Sequence, residues 1–135
     1  MNLTVGQTAS REVTVTEEMV RAYAELTGDY NPLHFDAEFA ARTRFERLMA
    51  QGGITTGLLH ALVAMDMKGP GKVVTRQRWS FPRPVDSGDT IRAQATVQSV
   101  RAGRPFAELA FVVTNQHGET VLEGEATVFQ AQPEG

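Results

Sequence analysis

Gly52-Gly53-Ile54-Thr55-Thr56-Gly57-Leu58-Leu59-His60-Ala61-Leu62-Val63-Ala64-Met65-Asp66-Met67 is the stretch on which the fold turns. Ile54, Leu58, Leu59, Ala61, Leu62, Val63, Ala64 and Met65 leave a helix almost no polar face. A helix that is apolar nearly all round must be covered on most sides. In a chain of 135 residues the economical cover is a curved sheet. Gly69-Pro70-Gly71 then stops the helix.

The residues downstream supply such a sheet. Val73, Trp79 and Phe81 are read as one face of a strand, with Arg76 and Arg78 on the other. Pro82 and Pro84 indicate that this strand ends there or lies at a sheet edge. Ser87-Gly88-Asp89 turns the chain. Ile91, Ala93, Ala95 and Val97 then alternate with Arg92, Gln94, Thr96 and Gln98. Ala102 to Pro105 turns again, Ala107, Leu109, Phe111 and Val113 alternate, and Asn115 to Gly118 turns once more. Leu122, Gly124, Ala126 and Val128 complete the pattern. Three turn-linked strands after a buried helix predict an antiparallel meander. The class is therefore α+β, one domain over residues 1–135 with its core at about 10–129. Gln130 to Gly135 reads as a frayed tail.

Upstream, Ser10 to Val15 alternates as a short strand. Thr16 can cap a helix whose first turn holds Glu17 and Glu18, and Met19, Val20, Tyr23 and Leu26 recur at helical spacing. Gly28 ends it. Asp36 opens a second helical piece, Ala37 to Arg42, and Thr43 to Arg47 reads as loop.

Between those helices lies Thr27-Gly28-Asp29-Tyr30-Asn31-Pro32-Leu33-His34. An acid and an imidazole are held there in what reads as a stiff, non-helical turn, a pairing suited to moving a proton or steering a water. On their own, Asp29 could merely cap a turn and His34 could be a core histidine.

Composition narrows the function. Hydrophobic residues make up 41% and charged residues 21%, with net charge −3 and no basic run, which argues against a nucleic-acid surface. The absence of cysteine removes disulfides, thiolate metal sites and a cysteine nucleophile. His34, His60 and His117 share no metal-type spacing, so no metal is expected. His60 reads as core or interface, His117 as a solvated turn residue. The N-terminus lacks a signal-peptide pattern, and Ile54 to Met67 falls short of the roughly 20 residues that span a bilayer. A soluble, cytoplasmic protein is expected.

With elements in this order, the gapless run Thr27 to His34, followed by Phe45-Glu46-Arg47, Gly52, Phe81-Pro82-Arg83-Pro84-Val85 and Gly88-Asp89, resembles the MaoC-like dehydratases. The (R)-specific enoyl-CoA hydratases are the most similar group. The resemblance covers roughly residues 10–129. It implies the hot-dog fold, an antiparallel sheet wrapped around a long central helix, and a homodimer or higher oligomer with the site near the subunit interface. It implies reversible addition of water to a trans-2-enoyl thioester of CoA or acyl-carrier protein, with no cofactor. Asp29 and His34 would act jointly as the acid/base pair, the Gly52 backbone N–H would stabilise the thioester oxygen, and Asn31 would orient one of the pair or cap the turn. Two positions depart from the pattern: Gln51, where many members carry His, and Gly57, where many carry Ser. Arg76, Arg78 and Arg83 could meet CoA phosphates, and Phe35, Trp79 and Phe81 could line an acyl pocket or simply pack. The rival readings are a thioesterase on the same fold, whose acid would be Asp66, and a non-catalytic hot-dog subunit.

Overall fold

The computed structural model describes residues 1–132. Five strands form one antiparallel sheet in the order β1-β3-β4-β5-β2. Their bounds are β1 Thr8–Thr14, β2 Lys72–Ser80, β3 Thr90–Val100, β4 Phe106–Thr114 and β5 Thr120–Gln130. The meander β3-β4-β5 runs as its alternation predicts, while β1 and β2 form the edges. Alternation puts Ile91, Ala93, Ala95, Val97, Ala107, Leu109, Phe111 and Val113 on the buried face.

That face packs on the central helix α4, Gly52–Ala61, which continues through one π-helical turn, Leu62–Asp66. Leu58, Leu59, Leu62, Val63 and Met67 join the strand residues in one core cluster. The π-turn inserts an extra residue into the helical repeat, and Leu62 and Val63 are both buried there. The helix is not covered all round. Gly57, His60, Ala64 and Met65 are exposed in the single chain, Met65 at 74%.

The strand β2 departs from the expected parity. Its pairing with β5 shifts between Val74 and Arg76. The bulge at Thr75 reverses the side-chain alternation, so Val74 and Trp79 pack against the core and Val73 is exposed. The tail reading also needs correction. Gln130 is the last residue of β5 and is buried, because its side chain bonds Asn2 (3.0 and 2.7 Å) and the Pro70 carbonyl (3.0 Å). Residues 133–135 of that reading lie outside the described residues.

Three helices precede α4. Helix α1 spans Glu17–Thr27, with Thr16 Oγ1 accepting from the Met19 N–H at 3.2 Å and Gly28 closing it at φ 83°. Helix α3 spans Ala37–Ala41 and is capped by Asp36. Between them the chain does not form a non-helical turn. Pro32–Phe35 is a one-turn helix, α2, entered through Asn31 as N-cap with Pro32 in its first turn. Asn-Pro suits that start, since Asn accepts from the orphan N–H groups and Pro lacks one.

Candidate active site

Helix α2 exists to present His34. The Asn31 Oδ1 accepts from the Leu33 N–H at 3.0 Å, which caps the turn. The Asn31 N–H in turn donates to Asp29 Oδ1 at 3.3 Å, so the backbone of Asn31 aims the acid. Asp29 also donates its own N–H to Thr27 Oγ1 at 3.2 Å. The result is an acid whose carboxylate lies 3.8 Å from His34 Nε2, with the acid 44% exposed and the imidazole 8% exposed.

The other ring nitrogen fixes the tautomer. His34 Nδ1 lies 2.7 Å from the Met49 carbonyl oxygen. A carbonyl can only accept, so Nδ1 carries the hydrogen and neutral His34 turns the Nε2 lone pair toward Asp29. The Met49 N–H donates back to the Leu33 carbonyl at 3.1 Å, and Ala50 N–H bonds the Val85 carbonyl at 2.7 Å. The two Met49 bonds lock α2 to the segment that enters α4, and the Ala50 bond ties that segment to Val85. Two acceptors facing one another can hold a water by its two hydrogens, leaving the oxygen lone pair for attack.

Gly52 begins α4, three residues beyond Met49, where helical N–H groups lack intrahelical partners. It lines a groove of about 300 Å³ with Phe45, Met49, Thr55, Phe81 and Pro82. A Cβ on Gly52 would lie 3.3 Å from the Phe81 ring, so the absent side chain keeps the helix start close to that wall. His34 and Phe35 line a separate cavity of about 190 Å³ with Val20, Arg21 and Leu48, which shares no lining residue with the Gly52 groove.

The other candidates separate clearly. Trp79 packs edge-on against Phe111, with centroids 5.2 Å apart, and belongs to the core. Phe35 and Phe81 line cavities. Arg83 pairs with Glu119 at 3.2 Å and Arg78 with Glu125 at 3.8 Å on the surface. His60 is exposed and not core; its Nε2 meets Gln77 Oε1 at 2.9 Å. Gly57 faces open space. A larger polar groove of about 650 Å³ holds the Arg47–Asp86 pair at 2.9 Å, but Asp29, His34 and Gly52 do not line it. Burial raises the Asp86 carboxyl pKa above its ordinary value, opposed by Arg47 and reinforced by Asp89. Among the described residues no three His, Asp or Glu are grouped to hold a metal ion.

The Met49 carbonyl, a backbone group, carries no side-chain signal that sequence reasoning could have found. Gln51 stood out only as a departure from pattern. It is buried at 1% exposure, with its carboxamide against the Val20 and Asp29 carbonyls.

An antiparallel sheet packed on one long helix, with an acid on the loop after α1 and an imidazole on α2 beside it, defines a protein of the hot-dog fold. Residues 3–121 match the MaoC-like domain family. The chain is 36% identical over 127 residues to the (R)-specific enoyl-CoA hydratase of Aeromonas caviae, covering 94% of this chain and 95% of that one. It is 37% identical over 127 residues to the 3-hydroxybutyryl-CoA dehydratase of Methylorubrum extorquens, covering 94% and 80%. The solved (R)-hydratase from A. caviae involved in PHA biosynthesis matches with TM-score 0.90 and 36% identity, covering 96% and 98%. The chain belongs to the MaoC-like dehydratase family.

Proposed function

We propose that this protein is an (R)-specific enoyl-CoA hydratase, a hydro-lyase that adds water reversibly to a trans-2-enoyl thioester to give the (R)-3-hydroxyacyl thioester. The observation that carries the site assignment is the 3.8 Å approach of Asp29 Oδ1 to a His34 Nε2 whose lone pair is free to accept. The relatives named as hydratase and dehydratase, matched over most of their lengths, support the reaction class.

In the hydration direction, water donates one hydrogen to the Asp29 carboxylate and one to His34 Nε2. Its oxygen bonds to C3 as one of the two takes a proton. The C2–C3 double bond opens toward the thioester, and the acquired proton is delivered to C2. The sum is H at C2 and OH at C3. Negative charge on the thioester oxygen meets the Gly52 N–H at the positive end of α4, a type of contact whose loss costs about 3 kcal/mol. The scheme uses no metal and no cofactor beyond the thioester itself, carried by CoA or acyl-carrier protein.

The enzyme works as a homodimer, in this reading, in the cytoplasm. The exposed apolar residues Ala64 and Met65 and the unpaired edge of β2 support a second copy as cover. No helix among the described residues is long and apolar enough to cross a membrane.

A thioesterase would need a free carboxylate on the central helix. Asp66 is its acid, and it is held by Arg11 Nη1 at 3.0 and 3.2 Å at the far end from Gly52. Incubation with crotonyl-CoA and a panel of longer enoyl-CoAs decides the matter. Loss of enoyl-thioester absorbance with an (R) product is expected; thiol release, an (S) product or no turnover across the panel overturns the reading.

A further inference from the structure

We propose that Gln51 is a positioning residue for this reaction, its carboxamide holding the Asp29 turn in register with the start of α4; the inference rests on the hydratase reading above. Gln51 stands at the N-cap of α4 but does not cap it. Its Nε2 donates instead to the Val20 carbonyl at 3.0 Å and reaches the Asp29 carbonyl at a long 3.5 Å. One side chain thus touches α1, the loop that carries the acid, and, through its own backbone, the Gln51–Gly52 peptide whose N–H opens the helix. With His34 bonded to Met49, the short segment Met49–Gly52 becomes the strut on which imidazole, acid and N–H donor are all referenced.

The orientation of the amide is set by its surroundings. Turning it over would place Oε1 against two carbonyl oxygens, where only a donor fits. In the orientation present, Oε1 is buried and meets no hydrogen-bond donor among the described residues. An unpaired buried oxygen is costly to a degree comparable with what the two N–H donations return. Gln51 therefore does little for the stability of the fold, and an apolar side chain of its length would serve the core as well. What it supplies is geometry, and a displacement of about 1 Å at a reacting group can cost about 100-fold in rate.

Gln51→Met keeps length and volume and removes both donations. The expected result is a kcat about tenfold lower or worse with KM within about twofold of wild type, and an unfolding midpoint no lower than wild type. Gln51→His, which restores an N–H donor, should recover most of the kcat. A second readout needs no turnover. Carbethoxylation by diethyl pyrocarbonate, followed by peptide mass spectrometry, should modify the buried His34 about fivefold faster in Gln51→Met as its turn loosens. His117, exposed in its turn, serves as the unchanged control. Wild-type kcat together with wild-type His34 labelling in Gln51→Met overturns the proposal. So does a kcat loss that tracks a lowered unfolding midpoint while His34 labelling stays unchanged, since that marks a merely structural residue. If the wild type turns over no enoyl-CoA, the hydratase reading fails, and the labelling alone decides whether Gln51 holds the turn.

Discussion

The His34 imidazole is tethered to the Met49 backbone: Nδ1–H donates to the Met49 carbonyl at 2.7 Å. That one bond selects the tautomer, points Nε2 at Asp29, and ties a one-turn helix to the chain entering α4. A four-residue helix has no stability of its own. Its geometry comes from Asn31 and Pro32 at one end and from Met49 and Leu33 backbone bonds across the gap.

The packing around the helix start makes a specific stability prediction. A Cβ on Gly53 would fall inside the Tyr23 hydroxyl, with Tyr23 Cζ also too near. Gly53→Ala must push the Tyr23 ring aside, at a cost of about 1–3 kcal/mol for overpacking. Urea denaturation should show this loss, and Gly53→Ala in a Tyr23→Leu background should cost less than in wild type. Equal costs in both backgrounds contradict the packing.

Assembly is read by mass. Light scattering should give at least twice the 14.8 kDa of one chain. A mass of one chain at working concentration removes the proposed cover for the exposed face of α4.

Lys72 gives a pH dependence. It is buried, and desolvation lowers its pKa from 10.5, although Nζ donates to the Lys68 carbonyl at 2.7 Å. Between the lowered folded value and 10.5 the unfolded chain binds more protons, so this group makes stability rise with pH across that window. Below the window the ammonium is charged in both states and its desolvation cost is fully present. Lys72→Met should therefore be at least as stable as wild type at pH 7. That advantage should shrink toward pH 10.5. Denaturant midpoints of both proteins, measured across the alkaline range, check the sign.

Much of this architecture was legible from residue pattern, and the failures have physical causes. Strands β3 and β4 announced themselves because each buries one face, so alternation and burial coincide; β5 was legible from Leu122, Ala126 and Val128, although Val121 and Thr127 on its other face are buried too. Thr16 and Gly28 marked the ends of α1 through local backbone chemistry. The Thr75 bulge could not be read, since its parity shift arises from pairing with β5. Gln130 looked like tail because its partners, Asn2 and Pro70, are distant in sequence. Helix α2 was read as a non-helical turn although Asn31-Pro32 carried a helix-start signal, because four residues show no periodicity. The apolar content of α4 was visible, but content alone does not say which chain covers each side. Asp29 and His34 were legible as a pair; the Met49 carbonyl and the Gln51 carboxamide act through contacts that only the folded chain creates.

The central claim, that Asp29 and His34 work as one acid/base unit on enoyl-thioester hydration, is tested most directly by kcat for Asp29→Asn, His34→Ala and the double variant on the best enoyl-CoA substrate. Each single change should lower kcat by about 100-fold or more. The double variant should be little worse than the worse single one, as for residues that act as a unit. Folded single variants that retain near wild-type kcat, or a double variant whose loss is the product of the two, contradict the account.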